Sequence, residues 1–449
     1  MFETLKNAFK VKEIRVKIWW TLAFLLLYRL GCNIPVPGIG AQLISSEEMG
    51  SLSYLAIMKM MSGGALSQGT WFAMGISPYI NASIIVQLLT VAIPALERLS
   101  KAGEEGRRKV NAITRYGAII LAVVQAIGIL LNYGPNNLTA GLTNIAGETS
   151  SSLVHILFDQ EWLAYVVAII FYTSGTAVTI WIGERITEYG ISNGISLLIF
   201  VGILSSAGTY FMQQITTIFT EQSAALTVLW SLVFYIIAVV IIFGCIVFVD
   251  LAERKIPVQY AKQVKGRKMY GGQSTVIPIK VNANGVMPLI FAFSILSFPE
   301  LIMTMFVKNP AESKFVTWWQ SYMGTDSWLY MVILCLLILG FAYFYTTIQF
   351  SPEDISRNIQ QNGGFIPGIR PGKPTTEHLK RVSNRITLFG AIFLALVALI
   401  PSIVFRLIDE GSVATFTATG MLICVSVALE FNTALESQIM MKNYKGFLK

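Results

Sequence analysis

The sequence predicts an all-α polytopic membrane protein with ten membrane-spanning helices. Of its 449 residues, 54% are apolar and only 13% are charged, against about 25% charged residues in soluble proteins. A soluble globule cannot bury that much apolar surface, whereas a membrane protein exposes it to lipid. The same composition excludes a disordered chain, a collagen-like repeat and a disulfide-rich secreted scaffold.

Ten apolar runs approach the length that crosses a bilayer, which takes about 20 predominantly apolar residues. They cover residues 17–32, 71–93, 113–132, 162–183, 191–212, 226–249, 283–306, 327–349, 386–408 and 412–435. Within the second run, Pro78 removes a backbone hydrogen bond, so we expect a kink there.

The distribution of basic residues predicts the orientation of these spans. With the N-terminus in the cytoplasm, 28 of the 33 Lys and Arg residues lie on the cytoplasmic side and four on the other side. Cytoplasmic loops are enriched in Lys and Arg, so both termini are predicted to be cytoplasmic. The basic N-terminal tail leads into an apolar run without a small-residue cleavage site, so we expect no removable signal peptide.

Ten spans divide into two sets of five. An odd number per set means that the second set enters the membrane upside down relative to the first. We therefore expect two inverted halves, residues 1–212 and 213–449. A functional path is expected at the interface between them.

A short apolar segment, residues 52–61, follows the first span and is too short to cross the membrane. Gly63 and Gly64 end it. One interpretation is an interfacial helix lying on the outer surface. The other is a re-entrant half-helix, which is tolerated at membrane depth only when protein or a water-filled cavity surrounds it.

Two cytoplasmic loops, residues 250–281 and 351–384, are too long to be simple connections. The segment STVIPIKV in the first predicts a small β-hairpin, and the Gly and Pro residues of the second predict tight turns. Both loops are strongly basic. Their charge either fixes the topology or forms a docking surface for an acidic partner, nucleic acid or anionic lipid.

The sequence gives little support to catalysis, metal binding or a cofactor. It contains no nucleotide-binding loop, zinc-protease motif, nucleophile elbow or paired cysteines. The four cysteines lie within or at the end of apolar runs, where we expect free thiols. Ionisable residues such as Asp250 and Glu300 lie at span ends, which disfavours an ion-coupled carrier. A ten-span secondary transporter remains the alternative to a channel.

Isoleucines recur at helical spacing in two spans. Ile76 and Ile80, and likewise Ile195 and Ile199, are four residues apart and share one helix face. Taken singly, each is as well explained as apolar filler facing lipid or the protein core. Further along the second span, Ser83 and Gln87 form a polar patch.

Several long segments resemble signatures of the SecY family. They are MSGGALSQGTWFAMGISPYINASIIVQLLT, GERITEYGISNGIS, NAITRYG, KVNANGVMPLIF and FIPGIRPG, and the likeness runs from Asn33 to the last span. The resemblance implies a passive protein-conducting channel of the bacterial plasma membrane. Such a channel translocates secretory polypeptides and releases signal or transmembrane segments sideways into the lipid.

The resemblance also implies roles for individual residues. The pore ring would consist of six isoleucines: Ile76, Ile80, Ile195, Ile199, Ile290 and Ile423. The lateral gate, between the second and seventh spans, would include Ser83, Gln87 and Asn282. The plug would include Leu52, Leu55, Met58, Met61, Gly63 and Gly64. Gln87 and Asn282 would face each other across the gate, unless each bonds within its own half.

The resemblance implies partners for the two basic loops. The docking residues would be Arg254, Lys255, Lys262, Lys265, Arg267, Lys268, Arg357, Arg370 and Lys373. These loops would bind the ribosome, through phosphate contacts to its RNA, and the SecA ATPase. SecE and SecG would be partner subunits, and signal peptides, nascent polypeptides and membrane lipids would contact the gate.

Overall fold

The computed structural model describes residues 8–36, 53–140, 161–220, 225–260, 263–265, 268–270, 274–282, 285, 287–306, 314–324, 327–407 and 418–446. Its helices and strands in chain order are α1 Lys12–Gly31, α2 Ser53–Ser62, α3 Ser77–Ala92, α4 Pro94–Lys101, α5 Gly103–Ala140, α6 Glu161–Tyr189, α7 Gly194–Thr220, α8 Ala225–Asp250, β1 Glu253–Tyr260, β2 Gln263–Lys265, β3 Lys268–Tyr270, β4 Ser274–Lys280, α9 Met287–Phe306, α10 Lys314–Met323, α11 Trp328–Gln349, α12 Pro352–Gln361, β5 Gly364–Phe365, α13 Lys373–Leu407 and α14 Ala418–Gly446.

Each of the ten predicted spans coincides with one helix, in order α1, α3, α5, α6, α7, α8, α9, α11, α13 and α14. Among the described residues, five helices are long and apolar enough to cross a membrane, and a sixth is added if α3 and α4 count as one bent span. Segments of α7, α8 and α9 are shorter apolar helices. The all-α polytopic class is thereby confirmed.

The kink predicted at Pro78 is wrong. Residues 71–76 form turns, and α3 begins only at Ser77, so Pro78 lies in the first helical turn. An N–H at that position has no partner within the helix, so proline removes no bond there. The chain bends at the other end instead, where α3 and α4 meet at 107° around Ile93 and Pro94 starts the new helix.

The two sets of five spans have the same pattern of neighbours. In the first set, α3 packs on α5, α5 on α6 and α6 on α7, while α1 contacts both α6 and α7. In the second set, α9 packs on α11, α11 on α13 and α13 on α14, while α8 contacts both α13 and α14. Helix α7 continues to Thr220, so the expected boundary after residue 212 falls inside this helix, and the division into two halves stays a prediction.

The short helix α2 lies where the two sets of spans contact each other. Helix α7 packs on α8 and α14, and α9 packs on α5. The short helix α2 contacts α7 of the first set and α9 of the second. This position lies among the spans, as the re-entrant interpretation requires.

The two basic loops, which are predicted to be cytoplasmic, form one small unit. Strands β1 and β4 pair antiparallel from Glu253↔Lys280 to Gln259↔Ser274, which confirms the predicted hairpin. Strand β5 from the second loop pairs with the end of β1. Beneath this sheet, Ile256, Val258 and Ile279 share a core with Ile359, Ile366 and Leu379, so burial of apolar side chains fixes the loops to each other.

Candidate functional site

The six isoleucines of the expected ring belong to one hydrophobic cluster. Ile76, Ile199 and Ile423 are buried members of it. Ile80, Ile195 and Ile290 are partly buried and pack against it. Four spans drawn from both sets, α3, α7, α9 and α14, thus contribute apolar side chains to one place.

Local structure explains how short segments bring these side chains together. Ile76 is the residue before α3, and Ile80 follows one helical turn later. Ile195 and Ile199 lie in the first two turns of α7, and Ile290 lies in the first turn of α9. Helical residues four apart project from the same face, so α3 and α7 each present a pair of isoleucines to the cluster.

Helix α2 lies between this cluster and a second one. Its residues Leu55 and Met58 are fully buried against α5 and α6, together with Ala126 and Tyr172. On its other side, Met60 joins the isoleucine cluster, and Met61 packs there as well. Apolar contacts on both sides therefore hold α2 against the isoleucines.

The end of α2 is fixed to α7 and α1 through three successive carbonyl groups. The Ser206 hydroxyl donates to the Met60 carbonyl at 3.1 Å. The Met61 carbonyl lies against Gly202, where any added Cβ would clash with it. The Cys32 thiol donates weakly to the Ser62 carbonyl, with the sulfur 3.9 Å from the oxygen. Small side chains on α7 thus allow close approach of the half-helix.

Gly63 and Gly64 terminate α2 as expected. Both have positive φ, +67° and +87°, a region that side chains with a Cβ rarely adopt. The Gly64 N–H donates to the Lys59 carbonyl at 2.9 Å, so the reversal satisfies a carbonyl at the helix end. Leu52, the remaining plug residue, lies outside the described residues.

Gln87 and Asn282 each form a hydrogen bond within their own half, which is the alternative that the sequence left open. Gln87 donates through Nε2 to Ser83 Oγ of its own helix at 3.4 Å. Asn282 donates through Nδ2 to Asp250 Oδ1 at 2.6 Å, within its own half. A carboxylate is a stronger acceptor than an amide oxygen, and Asp250 ends the neighbouring helix α8, so Asn282 bonds there instead.

The contacts that Ile290 makes across the seam beside α9 are apolar. In the described part of the chain, α9 packs on α5 and α2 of the first set. Ile290 of α9 shares the isoleucine cluster with Ile76 and Ile80 of α3. Contacts of this kind lack the directionality of a hydrogen bond.

The expected docking residues are exposed wherever the structure describes their side chains. Arg254 and Lys255 on β1, Arg357 on α12, Arg370 between β5 and α13, and Lys373 at the start of α13 are all exposed. Lys255 pairs with Glu253 at 3.1 Å. Lys265 and Lys268 lie opposite each other in the β2–β3 ladder. Lys262 and Arg267 lie outside the described residues.

Four residues with structural roles at this site were missed by the sequence analysis. Gly202 and Ser206 are four apart on α7, a small-residue pair of the kind that permits close helix packing in membranes, and this spacing is visible in the sequence. Asp250 and Ser426 gave no such signal, because the Ser426 hydroxyl donates to Asp250 Oδ2 at 2.8 Å across 176 positions of chain.

Comparison with known proteins shows which family this chain resembles. The sequence model of the SecY family matches residues 70–432. The protein translocase subunit SecY of Streptomyces coelicolor is 40% identical over the full length of both chains. The subunit of the same name from Mycobacterium bovis is 39% identical, also over both full lengths.

Solved structures share the fold. A protein-conducting channel superposes with a TM-score of 0.60 at 19% identity and covers 94% of this chain and 92% of its own. Sec61 from a canine ribosome–channel complex of the endoplasmic reticulum superposes with a TM-score of 0.58 at 19% identity and the same coverage. These relatives are translocase subunits and channels rather than secondary transporters. The chain therefore belongs to the SecY family, and it is a membrane-embedded protein translocase subunit.

Proposed function

We propose that this chain is the passive central subunit of a bacterial Sec translocon, with the waist of its channel at the isoleucine cluster. The observation that carries this proposal is the convergence of Ile76, Ile199 and Ile423, from three spans of both sets, in one buried cluster beneath α2. The matching neighbour patterns of the two sets support two inverted halves that meet between α7 and α8.

An apolar waist performs the two tasks of such a channel. Water and ions wet a narrow apolar constriction unfavourably, so leakage is low while the waist is closed. Isoleucine side chains make no directional bonds, so they part around a translocating chain of any sequence. A charged ring would discriminate between substrates, and a hydrophilic one would leak.

Helix α2 is proposed as the plug, a second seal on the outer side. Its support is the seat formed by Gly202 and Ser206 of α7 together with the apolar contacts of Leu55 and Met58. Displacement of α2 exposes these apolar side chains and breaks one hydrogen bond to Ser206. Each contact is modest, so a translocating chain can displace the plug.

The lateral gate is proposed to open between α3 and α9. The apolar core of a signal peptide gains about 0.8 kcal/mol for each CH₂ buried in lipid. Apolar contacts such as those around Ile290 are replaced by contacts with the signal, so little is lost on opening. Ser83 and Gln87 on α3, and Asn282 before α9, mark the cytoplasmic end of this gate.

The cytoplasmic unit is proposed to dock the ribosome and the SecA ATPase. Its support is the exposed basic side chains of Arg254, Arg357 and Arg370, which lie on the two loops that β1 and β5 pair into one unit. The sequence has no nucleotide-binding motif, so the energy for transport is supplied by the partner and the chain itself is not an enzyme. SecE and SecG are the proposed partner subunits, and both termini are cytoplasmic in the plasma membrane.

Photo-crosslinking of a signal peptide tests the proposal. A photoreactive residue at Ser83 or Ile290 should crosslink to a bound signal peptide, because both positions line the proposed gate. The same probe at Phe389, an exposed position on α13, is the control and should not. A signal peptide with a charged core should lose the crosslinks. Equal labelling at all three positions contradicts a gate between α3 and α9.

A further inference from the structure

The cytoplasmic hairpin is closed at its base by a side-chain hydrogen bond. Asp250 lies three residues before β1, and Asn282 lies two residues after β4. The Asn282 amide donates to Asp250 Oδ1 at 2.6 Å, and Asn282 is only 9% exposed. The two chain ends that enter and leave the hairpin are therefore tied together where they meet the membrane-spanning helices.

The same carboxylate also reaches the span that carries Ile423. Ser426 of α14 donates to Asp250 Oδ2 at 2.8 Å, so both carboxylate oxygens have a partner. Ser426 lies three residues beyond Ile423, within one helical turn. Asp250 thereby connects the hairpin base to α14 close to the channel waist.

Backbone contacts fix the segment leading into α9 as well. The Val281 N–H donates to the Ala252 carbonyl at 2.9 Å. The Val281 carbonyl approaches α13 at Gly390, where an added Cβ would lie 2.6 Å from that oxygen. The end of α8 and Gly390 of α13 thus contact the segment that leads into α9, and α14 reaches this segment only through Asp250.

We propose that Asp250, Asn282 and Ser426 form a joint that couples partner docking on the hairpin to the two waist-bearing spans of the second half, α9 and α14. The proposal rests on the docking role proposed above for the hairpin. A paired ladder from Glu253↔Lys280 to Gln259↔Ser274 moves as one stiff element. Because its base is tied, displacement of the hairpin by a partner moves α9 and α14 instead of separating the two strands.

Asp250 acts in this joint as a positioning residue. A carboxylate that accepts two hydrogen bonds holds them more strongly than a neutral acceptor would. Gln87 on the opposite side of the gate has only a bond within its own helix, at 3.4 Å. The joint therefore links docking to the helices of the second half but not to α3. Movement of α9 relative to α3 is the movement that opens the seam.

The test uses the full channel complex reconstituted in vesicles, with fluorescent labels on α3 and α9 at Ser83 and Ile295. Ribosome binding is measured separately from the change in label distance that it produces. Asp250→Ala removes both acceptors. We expect unchanged ribosome affinity and a loss of about 5- to 150-fold in the coupling between docking and gate movement, the range usual for coupled sites.

Further variants separate a joint from a general loss of structure. Asp250→Asn should retain most of the coupling, because its amide oxygen still accepts from Asn282 and its NH₂ group can donate to the Ser426 hydroxyl. Asn282→Asp places two carboxylates against each other and should uncouple the gate. Combining it with Asp250→Asn should restore coupling.

Ser426→Ala has a matched control on the same helix. Ser437 donates only to the Thr433 carbonyl of its own helix at 2.8 Å, so Ser437→Ala should leave coupling unchanged while Ser426→Ala lowers it. Full coupling in both Asp250→Ala and Ser426→Ala overturns the joint. A parallel fall in ribosome affinity also overturns it, since Asp250 would then only shape the docking surface. If ribosomes fail to bind even the native chain, the docking role itself is wrong.

Discussion

The two walls of the proposed gate, α3 and α9, are held in different ways. On the first wall, Gln87 of α3 makes a 3.4 Å hydrogen bond to Ser83 of the same helix, and α3 packs on α5. On the second wall, Asn282 makes a 2.6 Å hydrogen bond to Asp250, which also accepts from Ser426. Helix α9 is therefore joined to α8 and α14 by side-chain hydrogen bonds just before its first residue. Helix α3 depends on apolar packing.

This difference determines what opening must break. The side chains of Gln87 and Thr90 both bond within α3, so they keep their partners when α3 moves away from α9. Separation costs mainly apolar contacts, which lipid or a signal peptide can replace. A gate of this design responds to an apolar ligand without leaving buried polar groups unsatisfied.

The largest expected effect comes from a polar group in the waist, where both walls meet. Ile423 is 4% exposed, and burial of an amide without a partner costs about 1–3 kcal/mol. Ile423→Asn should therefore shift the channel about 5- to 150-fold toward hydrated, open states. Resting ion conductance and export of proteins with defective signals should both rise, and Ile423→Val is the control. Native values for polar variants at Ile80, Ile199 and Ile423 would exclude the ring.

The close contact between α2 and Gly202 of α7, in the first half, can be tested by adding a larger side chain. A Cβ at Gly202 would clash with the Met61 carbonyl, whereas a Cβ at Gly208 on the same helix meets nothing within 4 Å. Overpacking costs about 1–3 kcal/mol, so Gly202→Val should displace α2 and raise the resting conductance. Gly208→Val should not. Equal conductance in the two variants would show that α2 does not seal the channel.

Charge reversal on the hairpin tests docking on the second half. Arg254→Glu should insert normally but bind ribosomes more weakly, and the slope of log affinity against log salt should fall by about 1 for one lost phosphate contact. Lys109→Glu on α5, an exposed residue outside the hairpin that pairs with Glu105, is the control. Unchanged affinity together with reversed membrane orientation would show that the charge only determines topology.

The smallest effect is expected at Gln87. Its 3.4 Å bond to Ser83 is long and half-buried, and a typical net hydrogen bond contributes only about 0.5–1.5 kcal/mol. Gln87→Leu should therefore change signal-dependent gate opening by less than about tenfold. A larger loss of gate opening in the same assay would mean that Gln87 makes a contact across the seam. That result would contradict the proposed difference between α3 and α9.

Much of the fold followed from the sequence because its signals are local. Each span is a predominantly apolar run, Gly63 and Gly64 mark the end of the half-helix, and alternating residues around Ile277 and Ile279 predict the hairpin. The kink at Pro78 was wrong because the sequence does not show where a helix starts inside an apolar run. In the structure, residues 71–76 form turns and Pro78 lies in the first turn of α3.

The missed features depend on contacts between distant parts of the chain. Asn282 and Gln87 are both amides near predicted span ends, and nothing local shows that Asp250 competes for Asn282. Strand β5 has only two residues and pairs with β1 more than a hundred positions earlier, which no local pattern reveals. The pairing of the two basic loops and the hydrogen bond between Asn282 and Asp250 therefore needed the structure.

The central claim is that α3 and α9 separate when the channel opens, and a pair of cysteines tests it most directly. Ser83 on α3 and Ile290 on α9 are both half-buried, and Ile290 packs against the cluster that contains Ile76. We expect Ser83→Cys with Ile290→Cys to crosslink, a short crosslink to block export and a long flexible one to restore it, because only the width of opening is limited. Export of signal-bearing proteins that continues with the short crosslink in place would contradict the account.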